Sequence, residues 1–229
     1  MREIVTQQPL RFAAPNYREH FVHYGNIADS APFEHKTDYV VVDVETSGLE
    51  PSQGARVIEI AAIRTPGDGT VSDSFHTLIN PGSNDVGLTS IHGITAQMIL
   101  DAPTFAQITN HVRRIFSNAV FVAHHSLFDE RFVASEFAHA GQELNLMPGT
   151  CTYWMSRSVS DEVENHKLAT LIKRYKLDGG LAHSAFSDAM AVVQMLPHLI
   201  SRMGHPAHYV PPSEQVFGPI DPSVLKPRA

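Results

Sequence analysis

The sequence predicts one α/β domain built on a mixed β-sheet. Apolar, β-branched segments typical of strands come first along the chain, and helical and strand-like segments then alternate. The chain has 229 residues, 43% of them hydrophobic, which is enough for one sizeable core. We expect the domain to span residues 37–204, between an N-terminal extension (1–36) that packs on it and a proline-rich tail (205–229).

Three predicted strands open the domain. The first runs from Tyr39 into Asp43 and Glu45 and ends at Ser47-Gly48. The next two cover residues 56–65 and 70–80, and Pro66-Gly67-Asp68-Gly69 between them is typical turn chemistry. Together they predict a three-stranded meander.

Helices and strands alternate after the meander. The pattern first predicts a helix after Thr104, a strand over 119–123 and a helix through Phe128, Phe132 and Phe137. A weak strand-to-helix element follows over 150–157. The last two predicted elements are a helix through Leu168, Leu171, Ile172 and Tyr175 and a long helix from Ala185.

The two ends of the chain carry weaker patterns. Tyr17, Phe21 and Tyr24 recur with helical spacing and predict a short amphipathic helix that packs on the body. The segment Gln7–Phe12 loosely resembles peptides that bind sliding clamps, and chance is the simpler interpretation. From His205 onward, six of the fifteen prolines fall in 25 residues, so we expect a tail that lies extended on the body or on a partner chain.

Composition limits the function classes. The only cysteine, Cys151, excludes an intrachain disulfide and favours a reducing compartment. No apolar run reaches the roughly 18 residues of a membrane-spanning helix, and residues 1–8 lack the apolar core of a signal peptide. We therefore expect a soluble cytoplasmic protein without a membrane partner. A formal net charge of −7 argues against coating nucleic acid through a broad basic surface, but it allows a local grip on a few nucleotides. The densest basic cluster, Lys173, Arg174 and Lys176, is either a solvated helix face or a phosphate contact.

Two acids at the end of the first strand indicate chemistry. Alternate side chains of a strand point to the same face, so Asp43 and Glu45 lie side by side. Neighbouring carboxylates repel each other and resist burial, and a divalent cation such as Mg²⁺ or Mn²⁺ removes that cost. The alternative is that both acids end the strand in solvent.

Two later segments repeat the arrangement. Asp129 follows a strand in the first turn of a helix, and His183 precedes a helix that carries Asp188 in its first turns. The helix dipole favours a carboxylate at either place. Taken singly, Asp129 could be a helix cap, His183 a surface histidine and Asp188 an ordinary first-turn acid.

The ordered set of motifs is more specific than its parts. Strand-D-x-E, H-x-x-x-F-D and H-x-A-x-x-D, in this order over about residues 37–204, resembles the DEDDh group of 3′–5′ exonucleases. This group includes the proofreading epsilon subunit of bacterial DNA polymerase III, exonuclease X and ribonuclease T. The resemblance implies a ribonuclease-H-like fold with a central five-stranded mixed sheet and release of nucleoside 5′-monophosphates from 3′ ends.

The resemblance also assigns roles to residues. Asp43 would bridge two divalent cations, Mg²⁺ or Mn²⁺. Glu45 and Asp188 would hold the ion that activates water, and Asp129 the ion that faces the leaving group. His183 would be the general base, which predicts that activity falls below about pH 6.5, where histidine becomes protonated.

Substrate contacts follow from the same resemblance. His92 begins a segment, His92–Thr95, that looks like the wall of the terminal-nucleotide pocket, and Phe128 is expected to contact substrate. Thr46 either binds the 3′ end or simply forms a turn. His125 stands where the family usually has asparagine, which leaves its contact open.

Single-stranded or frayed DNA 3′ ends are the favoured substrate, because the motifs lie nearer to the epsilon subunit and exonuclease X. Alternatives are an exoribonuclease similar to ribonuclease T and a non-catalytic subunit of a replication or repair complex. Some members of the family are homodimers, and a polymerase or clamp partner is a further expectation.

Overall fold

A six-stranded mixed sheet forms the centre of the molecule, in the order β1-β6-β5-β2-β3-β4. The computed structural model describes residues 21–24, 38–159, 162–181, 183–203 and 221–228. The strands are β1 (Val22–Tyr24), β2 (Tyr39–Thr46), β3 (Val57–Thr65), β4 (Asp73–Leu78), β5 (Val120–Ala123) and β6 (Met147–Cys151).

Seven α-helices lie within the described residues. They are α1 (Thr89–His92), α2 (Ala96–Ile99), α3 (Phe105–Phe116), α4 (Ser126–His139), α5 (Thr152–Ser158), α6 (Leu168–Tyr175) and α7 (Ala185–Met203). α3 begins after Thr104 as predicted, because Thr104 and Gln107 form a capping box there. None of these helices is both long and apolar enough to cross a membrane.

Strand β2 lies in the interior of the sheet and divides the core in two. It pairs antiparallel with β3 and parallel with β5. Val40, Val42 and Val44 face a core shared with α3 and α4, whereas Tyr39 and Val41 face a core shared with α7. The alternation follows from the two-residue period of a strand. Residues 39–42 are buried on both faces of the sheet and are therefore apolar at every position.

The predicted order of strands and helices from β2 to α7 is confirmed, but the N-terminal prediction is wrong over the part that the structure describes. Val22–Tyr24 is a strand, not a helix, and it adds a sixth strand to the five that we expected. It pairs in parallel with β6, and the backbone N–H groups of Phe21 and Val22 both donate to the Glu130 carboxylate. These long-range partners outweigh a weak helical periodicity. Tyr17 and the segment Gln7–Phe12 lie outside the described residues.

Candidate active site

The carboxyl ends of the parallel neighbours β2 and β5 border a cleft of ≈ 410 Å³. The cleft brings together all five residues predicted to act in catalysis, together with Phe128. Its lining consists of Asp43, Val44, Glu45, His124, His125, Phe128, Asp129, His183 and Asp188. Ligands bind at this edge of open α/β sheets because the loops there can diverge and leave a crevice.

Asp129 reaches the cleft from the first turn of α4. Its side chain is 3% exposed, and its Oδ1 accepts a hydrogen bond of 3.2 Å from the backbone N–H of Val44. The bond joins α4 to β2 between the two predicted metal ligands Asp43 and Glu45. Asp129 is therefore held against the strand that carries the first motif, and it is not a solvent-exposed helix cap.

The third motif completes the site from the other side. The backbone N–H of Ala185 at the start of α7 donates to Glu59 Oε2 at 3.1 Å, which fixes the helix on β3. One ligand atom each from Glu45, His183 and Asp188 lie within 4.8 Å of one another. His183 itself is exposed and has a left-handed backbone with φ 58°.

The electrostatics of the cleft oppose negative charge. Burial raises the pKa of Asp43 well above its usual value, and the negative charges of Asp129, Asp188 and Glu45 raise it further. Burial, then Glu59 and Asp188, raise the pKa of Glu45 to about 8. Burial also raises the pKa of Asp188, and His183 partly offsets that shift. A set of oxygen donors that cannot ionise together without added positive charge fits a divalent cation such as Mg²⁺ or Mn²⁺.

Sequence reasoning missed a fifth acid, Glu59. It lies directly opposite Glu45 in the β2–β3 register and is fully buried. Its Oε1 has no hydrogen-bond partner within the described part of the chain. The signal was available, because Glu59 interrupts the apolar strand segment 57–63 just as Asp43 and Glu45 end another.

The predicted substrate residues divide into two groups. Phe128 lines the cleft, whereas Thr46 and His92 are not among its lining residues. Thr46 Oγ1 donates to the backbone oxygen of Gly48 at 2.7 Å, which stabilises the turn. His92 accepts a hydrogen bond from Ile94 N–H at Nδ1, so its Nε2–H donates to Val86 O at 2.9 Å. A substrate contact of Thr46 or His92 stays a prediction.

The two histidines before α4 have different surroundings. His124 Nε2 donates to His166 O at 2.9 Å, and burial lowers the pKa of His124 to about 4, so its ring is neutral. His125 stacks on Tyr153 with ring centroids 4.2 Å apart. His125 lines the cleft, at the position where the family motif usually has asparagine, whereas Tyr153 is not among the lining residues.

Residues 40–196 match the RNase_T family model, which describes an exonuclease domain, and the chain belongs to this family. The sheet and its helices are the ribonuclease-H-like exonuclease fold that the motifs implied. Escherichia coli exonuclease I in complex with a dT13 oligonucleotide superposes with a TM-score of 0.62 at 18% identity, over 72% of this chain and 41% of that chain. This likeness shows the fold alone.

Relatives in sequence include polymerase subunits and a separate nuclease. The DNA polymerase III subunit epsilon of Rickettsia typhi is 31% identical, over 68% of this chain and 71% of its own length. An epsilon-like protein of Rhodobacter capsulatus is 32% identical, and the 3′-5′ exonuclease DinG of Bacillus subtilis is 34% identical. The chain spans only 25% and 16% of the lengths of these last two relatives.

Proposed function

We propose that this chain is a metal-dependent 3′–5′ exonuclease that releases nucleoside 5′-monophosphates from single-stranded or frayed DNA ends. The observation that carries the proposal is the convergence of Asp43, Glu45, Asp129 and Asp188, with His183, on one cleft. Membership of the exonuclease family supports the reaction class. A non-catalytic subunit would not need all five residues in one place.

The acids are suited to hold two divalent cations. The charges of Asp129, Asp188 and Glu45 all act on Asp43. Asp43 would therefore contribute to both ions, with Glu45 and Asp188 at one of them and Asp129 at the other. When bound, such a pair neutralises the phosphate and makes a water molecule more acidic. The raised pKa values of the acids mean that ion binding must displace protons from the cluster.

The remaining residues act on water and substrate. His183 stands beside Glu45 and Asp188, where one of its ring nitrogens can take a proton from the attacking water. Its exposure allows that proton to pass on to solvent. Phe128 and His125 line the cleft, where their rings would stack on nucleobases, and Tyr153 supports the His125 ring from its other side. Stacking suits a single strand because every base has a face that can stack.

DNA is the favoured polymer because the Rickettsia typhi relative is by name a DNA polymerase subunit. The same name makes a DNA polymerase the partner class to test, by co-purification with the full chain.

The test is a degradation assay with 5′-labelled single-stranded DNA, single-stranded RNA and blunt duplex DNA, each with Mg²⁺, Mn²⁺ or EDTA. We expect a ladder that shortens from the 3′ end, nucleoside 5′-monophosphates as product, the fastest rate on single-stranded DNA and no reaction in EDTA. Metal-dependent degradation of RNA alone would replace DNA by RNA as the substrate. A lack of mononucleotide release from every polymer would refute the enzyme proposal.

A further inference from the structure

Residues 221–228, here called the C-terminal segment, lie against the body beyond the family match. The backbone N–H of Lys226 donates to Thr77 Oγ1 at 2.7 Å, and Leu78 N–H donates to Lys226 O at 2.8 Å. His111 Nε2 lies 3.1 Å from Asp221 O. Val224 and Leu225 pack against the core under α3 and α4. The segment is therefore anchored at several points along the β4 edge.

The anchored segment places the guanidinium group of Arg228 at the edge of the candidate active site. Arg228 Nη1 donates to the backbone oxygen of His183 at 3.1 Å and lies 3.5 Å from Glu59 Oε2. The Arg228 side chain is 10% exposed and Glu59 is fully buried. The Arg228 guanidinium also lies close to Gly93: a Cβ added at residue 93 would be 3.0 Å from Arg228 Nη2. A side chain at residue 93 would need this space.

These contacts hold the loop that carries His183. A non-glycine residue with φ 58° is uncommon and depends on support from its surroundings. Two bonds to other elements support it here: Arg228 donates to the carbonyl of His183, and Glu59 accepts the N–H of Ala185 two residues later. Arg228 and Glu59, which each bind the backbone of this loop, also form an ion pair with each other.

We propose that Arg228 is a positioning residue, which holds the His183 loop in its working geometry through the buried Glu59. Arg228 thus acts on the candidate active site although it lies outside the family match of residues 40–196. The proposal rests on the proposed function in so far as His183 is the residue that takes the proton. Arg228 is not among the residues that line the cleft, so it does not fill the space where substrate would bind.

The experiment compares Arg228→Ala with Lys226→Ala in the full chain. Both variants remove one positive charge from the segment, but the contacts of Lys226 that anchor the segment use its backbone atoms. We expect Arg228→Ala to lower kcat by about 10–100-fold, the usual effect of losing a partner that orients an active-site group, with KM unchanged. Lys226→Ala should keep the normal kcat. Added guanidinium ion should restore part of the activity of Arg228→Ala alone.

A second measurement is independent of catalysis. Amide hydrogen exchange of the peptide that contains Ala185 should speed up in Arg228→Ala and not in Lys226→Ala, because the loop loses one of its two anchors. Arg228→Lys keeps the charge without the planar fork, so its exchange and kcat should lie between those of the wild type and Arg228→Ala. Arg228→Lys also tests the proposal if Arg228→Ala does not fold.

Three results would overturn the proposal. They are a normal kcat with normal exchange in Arg228→Ala, an equal loss in Lys226→Ala, and an increase of activity in Arg228→Ala, which would make the segment inhibitory. If the wild type degrades no nucleic acid, the proposed function fails, whereas hydrogen exchange still tests whether Arg228 holds the loop.

Discussion

Two groups of buried acids lie close together in this molecule and differ in what surrounds them. Glu130 and Glu136 project from the same helix, α4, as the predicted metal ligand Asp129, and both are nearly or fully inaccessible. Glu136 receives Arg56 Nε and Nη2 at 2.8 Å each and the Val57 N–H at 3.0 Å. Glu130 receives the N–H groups of Phe21 and Val22 and the hydroxyl of Tyr24.

The acids of the cleft are surrounded mainly by other acids. Asp129 accepts the backbone N–H of Val44, and its negative charge raises the pKa of Asp43 and Glu45. A carboxylate surrounded by donors stabilises the fold, whereas carboxylates gathered without enough donors need an ion. Glu130 and Glu136 therefore stabilise the fold, whereas the acids of the cleft are suited to hold metal ions.

The largest effect is expected for Asp43→Asn. Exonuclease activity should fall by more than about 100-fold, beyond the usual cost of losing a group that only orients a metal ligand. The melting temperature of the metal-free protein should stay level or rise, because one of several mutually repelling acids is gone. The degradation assay and a thermal melt in EDTA check both points. Asp101→Asn, at an exposed position, is the control, and near-normal activity of Asp43→Asn would refute the site.

His183→Ala tests whether His183 acts as a general base and the acids act as metal ligands. Loss of a general base should lower kcat by about 10²–10⁴-fold, while the acids keep their affinity for Mn²⁺. Steady-state kinetics and a Mn²⁺ titration measure the two properties, with His139→Ala on the exposed end of α4 as the control. Loss of Mn²⁺ binding in His183→Ala would instead make His183 a ligand.

Glu136→Ala tests the structural group. It leaves Arg56 and the Val57 N–H without their shared partner, so unfolding should require about 2–5 kcal/mol less free energy. The kcat per folded molecule should not change. Denaturant titration and kinetics below the melting transition check this, with exposed Glu143→Ala as the control. A fall in kcat without loss of stability would move Glu136 into the catalytic group.

The smallest effect is a pH dependence of stability without metal. The folded protein raises the pKa of Glu45 from 4.5 to about 8, so it binds a proton more tightly than the unfolded chain does. The resulting stability is fully present below pH 4.5 and is lost as the pH rises toward 8. In EDTA, Glu45→Gln should therefore gain melting temperature relative to the wild type between pH 6 and pH 8. Parallel curves for the two proteins would contradict the shifted pKa.

The sequence was sufficient where chemistry coincides with a local pattern. The two-residue period of β2 predicted that Asp43 and Glu45 share a face, and the order of the motifs predicted that Asp129, His183 and Asp188 join them. The same reasoning could have found Glu59, an acid inside an apolar strand. It could not find β1, because a strand of three residues has almost no pattern and depends on Glu130, more than 100 residues away.

The contacts of Arg228, near the other end of the chain, could not be predicted from the sequence either. Its partners Glu59, Gly93 and His183 are far away in sequence, and the proline-rich composition around it indicates only an extended tail. An extended segment takes its position from the surface that it meets, so its contacts become visible only when the body is folded.

The central claim is that Asp43, Glu45, Asp129 and Asp188 together hold a pair of divalent cations. Titration of the full chain with Mn²⁺, followed by electron paramagnetic resonance, tests it most directly, because ions about 3.5–4 Å apart couple magnetically. We predict two Mn²⁺ ions per chain with a coupled signal, and loss of that signal in Asp43→Asn. Uncoupled ions in the wild type, or a coupled pair that persists in Asp43→Asn, would contradict the account.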